Sequence, residues 1–121
     1  MTTPESNTDF SSAMDRAIKI REIYHALETK NHGSAWTIQE DMIGFTYDVG
    51  ELGRLLMADE GRWVYPGDLK QDLEHKLAEC LWWLLVFSGR LGIDLDSAFA
   101  SKMAERESEL SASLAGPAAE A

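Results

Sequence analysis

Acidic residues inside two apolar segments are the feature of this chain that could do chemistry. Asp48 and Glu51 lie three positions apart within residues 45–56, so a helix would place both carboxylates on one face. Glu79 immediately precedes an uncharged run over residues 80–87. Buried carboxylates need a partner, and hard cations prefer oxygen ligands. We therefore predict a site for Mg²⁺, or for Mn²⁺, whose ligands are Asp48, Glu51 and Glu79.

An ordinary solvated helix face is the alternative for Asp48 and Glu51, because acidic pairs at this spacing are common there. Their neighbours argue against it, since apolar residues surround both: Phe45, Val49, Leu52, Leu55 and Leu56.

The spacing of apolar residues predicts four helices to position these groups. Thr37 and Glu40 have the spacing of a capping box, and Asp94 has the position of an N-cap. The predicted helices cover about residues 10–28, 38–58, 68–92 and 95–110. We find no strand alternation, so the fold class is all-α, an antiparallel four-helix bundle. In such a bundle Glu51 lies near Lys76 and Asp48 lies near Glu79.

Three glycines interrupt the second predicted helix, at Gly44, Gly50 and Gly53. Each costs about 0.5–1 kcal/mol relative to alanine. They predict that another helix, or a ligand, comes close to this helix, and helix packing is the simpler explanation at any one of them.

Length and charge limit the organisation and the partners. The chain has 121 residues, enough for one domain, with a net charge of −10. We predict a helical domain over residues 9–111 between disordered tails at 1–8 and 112–121. A surface of this sign repels nucleic acid polymers and anionic membranes, so a bound nucleotide would need a bridging cation. The first residues lack the pattern of a signal peptide, so we expect a cytoplasmic protein.

The uncharged run over residues 80–87 also predicts self-association. It is too short to span a bilayer. It includes the single cysteine, Cys80, which excludes an internal disulfide. Trp82 and Trp83 are adjacent, so bulky apolar groups surround more than one face of the helix. A four-helix bundle of this size cannot bury both faces, and we therefore expect at least a homodimer, with a tetramer as the larger alternative.

Three stretches, in order, resemble the MazG-like all-α nucleoside triphosphate pyrophosphohydrolases. Residues 48–52, DVGEL, resemble the E-x-x-E-L element of that family. Residues 77–85, LAECLWWLL, resemble its L-A-D-V-L-W-Y-L-L element. Residues 91–103 resemble its L-G-I-D-L…A-F…K-M stretch. The resemblance covers about residues 36–102, and order and spacing together carry it.

The resemblance implies a reaction and a set of site residues. The reaction is Mg²⁺-dependent hydrolysis of a nucleoside triphosphate to a monophosphate and pyrophosphate. The implied metal ligands are Asp48, Glu51 and Glu79, and Glu51 and Glu79 are the catalytic candidates. The general base stays open among these three carboxylates. The implied substrate-binding residues are Lys76, Trp83 and Lys102, although a Trp in an apolar stripe is more often part of a core.

Lys76 departs from the family pattern of four carboxylates, because it stands where a metal ligand is expected. Two interpretations follow. Lys76 contacts a phosphate oxygen, or it forms ion pairs with Glu51 or Asp72 and neutralises the site. The second interpretation makes the chain a catalytically degenerate homologue that binds a nucleotide or a protein partner as a helical oligomer.

Overall fold

The computed structural model describes residues 9–116, and within them it contains four α-helices and no β-strand. The helices are α1 (Phe10–His32), α2 (Ile38–Asp59), α3 (Leu69–Leu91) and α4 (Leu95–Ala115). The prediction of an all-α fold is therefore confirmed. The predicted N-terminal tail and residues 117–121 of the predicted C-terminal tail lie outside the described residues.

Polar side chains begin all four helices, and the two predicted N-caps, Thr37 and Asp94, are confirmed. The N-cap residues accept a hydrogen bond from the backbone amide three positions on, and they are Asp9, Thr37, Asp68 and Asp94. The capping box of α2 is complete, because Glu40 Oε1 also accepts from the Thr37 amide at 2.9 Å. These caps satisfy amides that have no partner inside the helix.

Two helices end later than predicted. α1 continues to His32 rather than to Glu28, and Gly33 then ends it in the left-handed conformation, with φ of 83°. Its amide donates to Thr29 O, as in a common helix C-cap. α4 continues to Ala115 rather than to Leu110. The serines and alanines that favoured a tail are compatible with a helix, and no glycine or proline interrupts them before Gly116.

α3 is the helix around which the others pack. It contacts both α2 and α1, whereas α4 makes a smaller contact with α1. The core centres on Ala17, Leu85 and Val86, against which Trp82 and Leu95 pack. This packing of the four helices is compatible with a bundle.

Only one glycine of α2 meets a packed neighbour. A Cβ on Gly44 would lie 2.7 Å from Trp83 Cζ2, so the indole occupies the space that a side chain would need. A Cβ on Gly50 or Gly53 would meet nothing within 4 Å. Close packing thus accounts for Gly44 and leaves the other two positions open.

A buried ionic cluster joins α1, α2 and α3. Asp41 is 0% exposed, and its two oxygens accept from Arg21 Nη2 at 2.7 Å and from Arg90 Nη1 at 2.6 Å. Arg21 also binds Glu28 at 2.8 Å. The loop before α2 joins the cluster through Trp36, whose amide donates to Glu28 Oε1 at 2.8 Å. Each member therefore has a charged partner, which burial of charges requires.

Two rows of apolar side chains stay about half exposed on α1 and α3. Most members of each row are separated by three, four or seven residues, which places them on one helix face. The row on α1 is Ile20, Ile23, Tyr24 and Leu27, and the row on α3 is Leu77, Leu81, Leu84 and Leu91. No helix within residues 9–116 is long and apolar enough to cross a membrane.

We predict that Asp41→Asn lowers the free energy of unfolding by about 3–5 kcal/mol, because Arg90 loses its carboxylate partner and the buried Arg21 keeps only Glu28. Urea unfolding followed by circular dichroism measures the change. The matched control is Glu105→Gln, which breaks an exposed pair with Lys102 and should cost at most about 1 kcal/mol. Similar losses for the two variants would contradict a structural role of the cluster.

Candidate active site

Lys76 is surrounded by the three predicted carboxylates. Its Nζ lies 3.0 Å from Asp48 Oδ1, 3.2 Å from Glu51 Oε1 and 3.2 Å from Glu79 Oε1. An ammonium group has three N–H donors, so three carboxylates match its donors. The predicted proximity of Glu51 to Lys76 is confirmed. The contacts correspond to the ion-pair interpretation, with Asp48 and Glu79 as the additional partners.

Two helices supply this cluster. Asp48 and Glu51 lie on one face of α2, and Lys76 and Glu79 lie on one face of α3. Trp83 fixes the orientation of Asp48, because its Nε1 donates to Asp48 Oδ2 at 2.7 Å. Both oxygens of Asp48 are therefore engaged, one by an ammonium and one by an indole.

The carboxylates keep Lys76 charged. Burial by itself lowers the pKa of Lys76, but the hydrogen bonds with Asp48, Glu51 and Glu79 raise it well above 10.5. A raised lysine pKa means that the contribution of these contacts to stability is complete below the unfolded pKa. It is lost only as the pH rises through the raised value. Lys76 is thus a permanent cation at neutral pH.

A cavity of about 770 Å³ opens beside the cluster, between α2, α3 and the loop that joins them. Lys76, Glu51 and Glu79 form one part of its lining. The remaining lining includes aromatic and basic side chains, among them Tyr47, Arg54, Trp63, Tyr65 and His75. The volume is that of an ordinary small-molecule site.

The loop residues of this cavity are held in place by their own contacts. Tyr65 donates its hydroxyl hydrogen bond to Asp72 Oδ2. Asp72 is thus the partner of Tyr65, and the alternative pairing of Lys76 with Asp72 is not formed. The hydrogen bond to Asp72 raises the pKa of Tyr65, so its hydroxyl stays protonated at neutral pH. Arg54 lies over the Trp63 ring, 4.9 Å from its centroid.

Two predicted substrate-binding residues do not line this cavity. Trp83 is 8% exposed, and its ring packs against Gly44 and Phe87 while its Nε1 holds Asp48. Lys102 lies on α4, where its Nζ pairs with Glu105 at 3.3 Å. Lys76 is the member of the predicted substrate-binding set that the cavity contains.

Sequence reasoning missed two basic residues that the structure makes prominent. Arg54 is a basic residue on a helix rich in apolar and acidic residues. It follows Glu51 by three positions, and this spacing could have predicted that the two side chains share a helix face. The ion pair of Arg90 could not be predicted, because its partner, Asp41, lies far away in sequence. Long-range ion pairs of this kind leave no local pattern.

The three carboxylates, with Lys76 in place, do not fit a metal ion that all three would bind. Within residues 9–116, no group of three or more His, Cys, Asp or Glu side chains is arranged to hold one. Glu51 and Glu79 each contact Lys76 through Oε1 and line the cavity. A Mg²⁺ ion at this cavity would therefore need oxygens of a phosphate ligand besides Glu51 and Glu79, since one or two carboxylates plus substrate phosphates is a usual Mg²⁺ arrangement.

Comparison of the chain with models of known protein families, with curated proteins and with solved structures finds no significant match.

We predict that Lys76→Met lowers the free energy of unfolding by about 1–3 kcal/mol at pH 7, because three carboxylates lose their common cation. The raised pKa of Lys76 predicts an equal loss at pH 9.5, still below the unfolded lysine pKa. Chemical denaturation at the two pH values measures both losses. Lys70→Met is the control on the same helix, with an expected change within about 0.5 kcal/mol. A loss that disappears at pH 9.5 would contradict a raised pKa.

Proposed function

We propose that this protein hydrolyses a nucleoside triphosphate to a monophosphate and pyrophosphate. The observation that carries the proposal is the cavity that joins the Lys76 carboxylate cluster to an aromatic and basic wall. A nucleotide presents a planar base at one end and phosphate oxygens at the other, so it matches a cavity of mixed character. The resemblance of residues 36–102 to MazG-like pyrophosphohydrolases points to the same reaction.

The residues of the cavity have different roles in that reaction. Glu51 and Glu79 would hold Mg²⁺ together with the substrate phosphates, and the bound ion would supply charge neutralisation and a more acidic water. Water attacks phosphorus, the bond between the α- and β-phosphates breaks, and pyrophosphate leaves. The proton of the attacking water passes to a carboxylate of the cluster. Tyr47, which is largely exposed on the cavity wall, offers an aromatic face to the base.

A second candidate function is nucleotide binding without hydrolysis. The observation that favours it is the position of Lys76 Nζ, within 3.2 Å of all three carboxylates. An internal ammonium already neutralises part of the charge that would attract a divalent ion. In this case the chain is a degenerate homologue, and the cavity serves recognition rather than catalysis.

Pyrophosphate release from each common nucleoside triphosphate, measured with Mg²⁺ or Mn²⁺ and without metal, separates the two functions. We expect metal-dependent release by the parent. We expect Glu51→Gln to lower turnover by about 10²-fold or more, through loss of a metal ligand or of the proton acceptor. Glu105→Gln on α4 is the matched control and should retain full turnover.

Lys76→Glu supplies the decisive comparison, because it restores the four-carboxylate pattern. An inactive parent with an active Lys76→Glu variant would reject hydrolysis by the parent and support a degenerate homologue. Metal binding has an independent readout in the melting temperature. Mg²⁺ at 100 times its dissociation constant should add about 2.7 kcal/mol of stability to the parent, and less to Glu51→Gln.

We also propose that the chain is an antiparallel four-helix bundle in a cytoplasmic homodimer or tetramer. Contacts between α2 and α3 support the antiparallel arrangement, because Asp41 meets Arg90 while Glu51 meets Lys76. The apolar rows of α1 and α3 support self-association, since large exposed apolar patches mark interaction sites. A second copy with the same rows would cover them.

We predict a dimer or larger species in sedimentation velocity at micromolar concentration. Leu81 is 49% exposed in the α3 row, and Leu81→Glu should shift the protein toward monomer by placing a charge in an apolar interface. Leu114 is 89% exposed near the end of α4, so Leu114→Glu is the control and should leave the assembly unchanged. A monomeric parent would contradict the proposal.

A further inference from the structure

The cavity contains two side chains that are always cationic at neutral pH, and they differ in what they already bind. Lys76 donates hydrogen bonds to Asp48 and Glu51, forms an ion pair with Glu79 and has 13% of its side chain exposed. A phosphate that contacted Lys76 would have to compete with these three carboxylates for the ammonium group. The phosphate-contact interpretation of Lys76 therefore involves this competition, and another cation has to be considered.

Arg54 is that cation. Its side chain is exposed and lines the cavity. Among residues 9–116 it forms no salt bridge and no side-chain hydrogen bond, in contrast to Arg21, Arg90 and Lys102. Its five N–H donors are thus available to a ligand.

Trp63 holds the Arg54 guanidinium in the cavity. The guanidinium carbon lies 4.9 Å from the centroid of the indole, within the range of a cation–π contact. Such a contact uses the face of the guanidinium and leaves the N–H groups at its edge able to donate. A guanidinium edge matches two phosphate oxygens at once, which an ammonium cannot do.

The position of Arg54 on α2 places it beside the cluster. It follows Glu51 by three residues, so the two side chains share a helix face and are about 4.5 Å apart along the helix axis. A phosphate chain whose Mg²⁺ is held by Glu51 would therefore have further oxygens within the region of Arg54.

We propose that Arg54, held over Trp63, is a phosphate-binding residue for the nucleotide, and that Trp63 positions it. This inference rests on the proposed function, since the ligand is the nucleotide of the same cavity. It assigns Lys76 to neutralising and orienting the carboxylates, and it assigns direct phosphate contact to Arg54.

Isothermal titration calorimetry with Mg²⁺ tests the assignment. The probes are inorganic tripolyphosphate and the α,β-methylene analogues of the common nucleoside triphosphates, which cannot be cleaved at the bond in question. We expect Arg54→Ala to weaken binding of both probes about tenfold or more, because a charge-assisted pair of hydrogen bonds is lost. Arg54→Lys should bind between the parent and the Ala variant.

Three further variants distinguish a direct phosphate contact of Arg54 from an effect of net charge and from the supporting role of Trp63. Arg62→Ala removes the same charge from a neighbouring exposed arginine that does not line the cavity, and it should change affinity less than twofold. Trp63→Leu removes the ring beneath Arg54 and should weaken binding about threefold or more, whereas Trp63→Phe should restore most of the affinity. Circular dichroism confirms that each variant is folded.

The outcomes distinguish this inference from the proposed function. Equal affinities of parent and Arg54→Ala for both probes would overturn the role of Arg54, even if the parent hydrolyses nucleotides. A parent that binds neither probe would overturn it as well. Binding that depends on Arg54 in a parent without pyrophosphate release would support Arg54 and reject hydrolysis.

Discussion

The burial of one carboxylate, Asp41, determines how three of the four helices meet. A fully buried carboxylate cannot stay charged without partners, and here guanidinium groups from α1 and α3 bind its two oxygens. Because both arginines reach the same side chain, neither helix can slide along α2 without breaking an ion pair to this buried carboxylate. The direction of hydrogen bonds adds to this constraint, whereas apolar packing alone would allow several registers.

That register is what brings the acidic residues of the site together. Asp48 lies about two helical turns after Asp41, and Trp83 lies about two turns before Arg90. The indole of Trp83 therefore meets α2 between Gly44 and Asp48, where the glycine leaves room for the ring and the carboxylate accepts its N–H. About two turns further along α3 from the buried cluster, Lys76 reaches the carboxylates of both helices. The buried ionic cluster and the candidate site thus lie at two positions along the same pair of helices, α2 and α3.

Local pattern was enough to predict the helices and the face on which the acidic residues lie. Capping residues such as Thr37 and Asp94 can be recognised from their neighbours in sequence. Asp48 and Glu51 share a face because residues three positions apart in a helix lie on the same side. The partners of Asp41 could not be read in this way, since an ion pair between distant residues depends on the packed register. The role of Trp83 was also beyond the sequence, because the same residue in the same apolar stripe could face a ligand or a carboxylate. Only the packing of α2 against α3 shows that Trp83 faces a carboxylate and not a ligand.

The placement of the cations explains how an acidic protein could accept a polyanion. With a net charge of −10, the chain repels free nucleotides unless positive charge is concentrated at the site. Lys76 lowers the negative charge of the cluster, but its hydrogen bonds to the carboxylates leave it poorly able to bind phosphate directly. Arg54 is exposed and, within residues 9–116, without an ionic partner, so its charge is directed toward the cavity. Lys76 reduces the repulsion between the carboxylates and a nucleotide, and Arg54 is available to bind the nucleotide. This division depends on the lysine being enclosed between α2 and α3 and on the arginine being exposed on the face of α2 that carries Glu51.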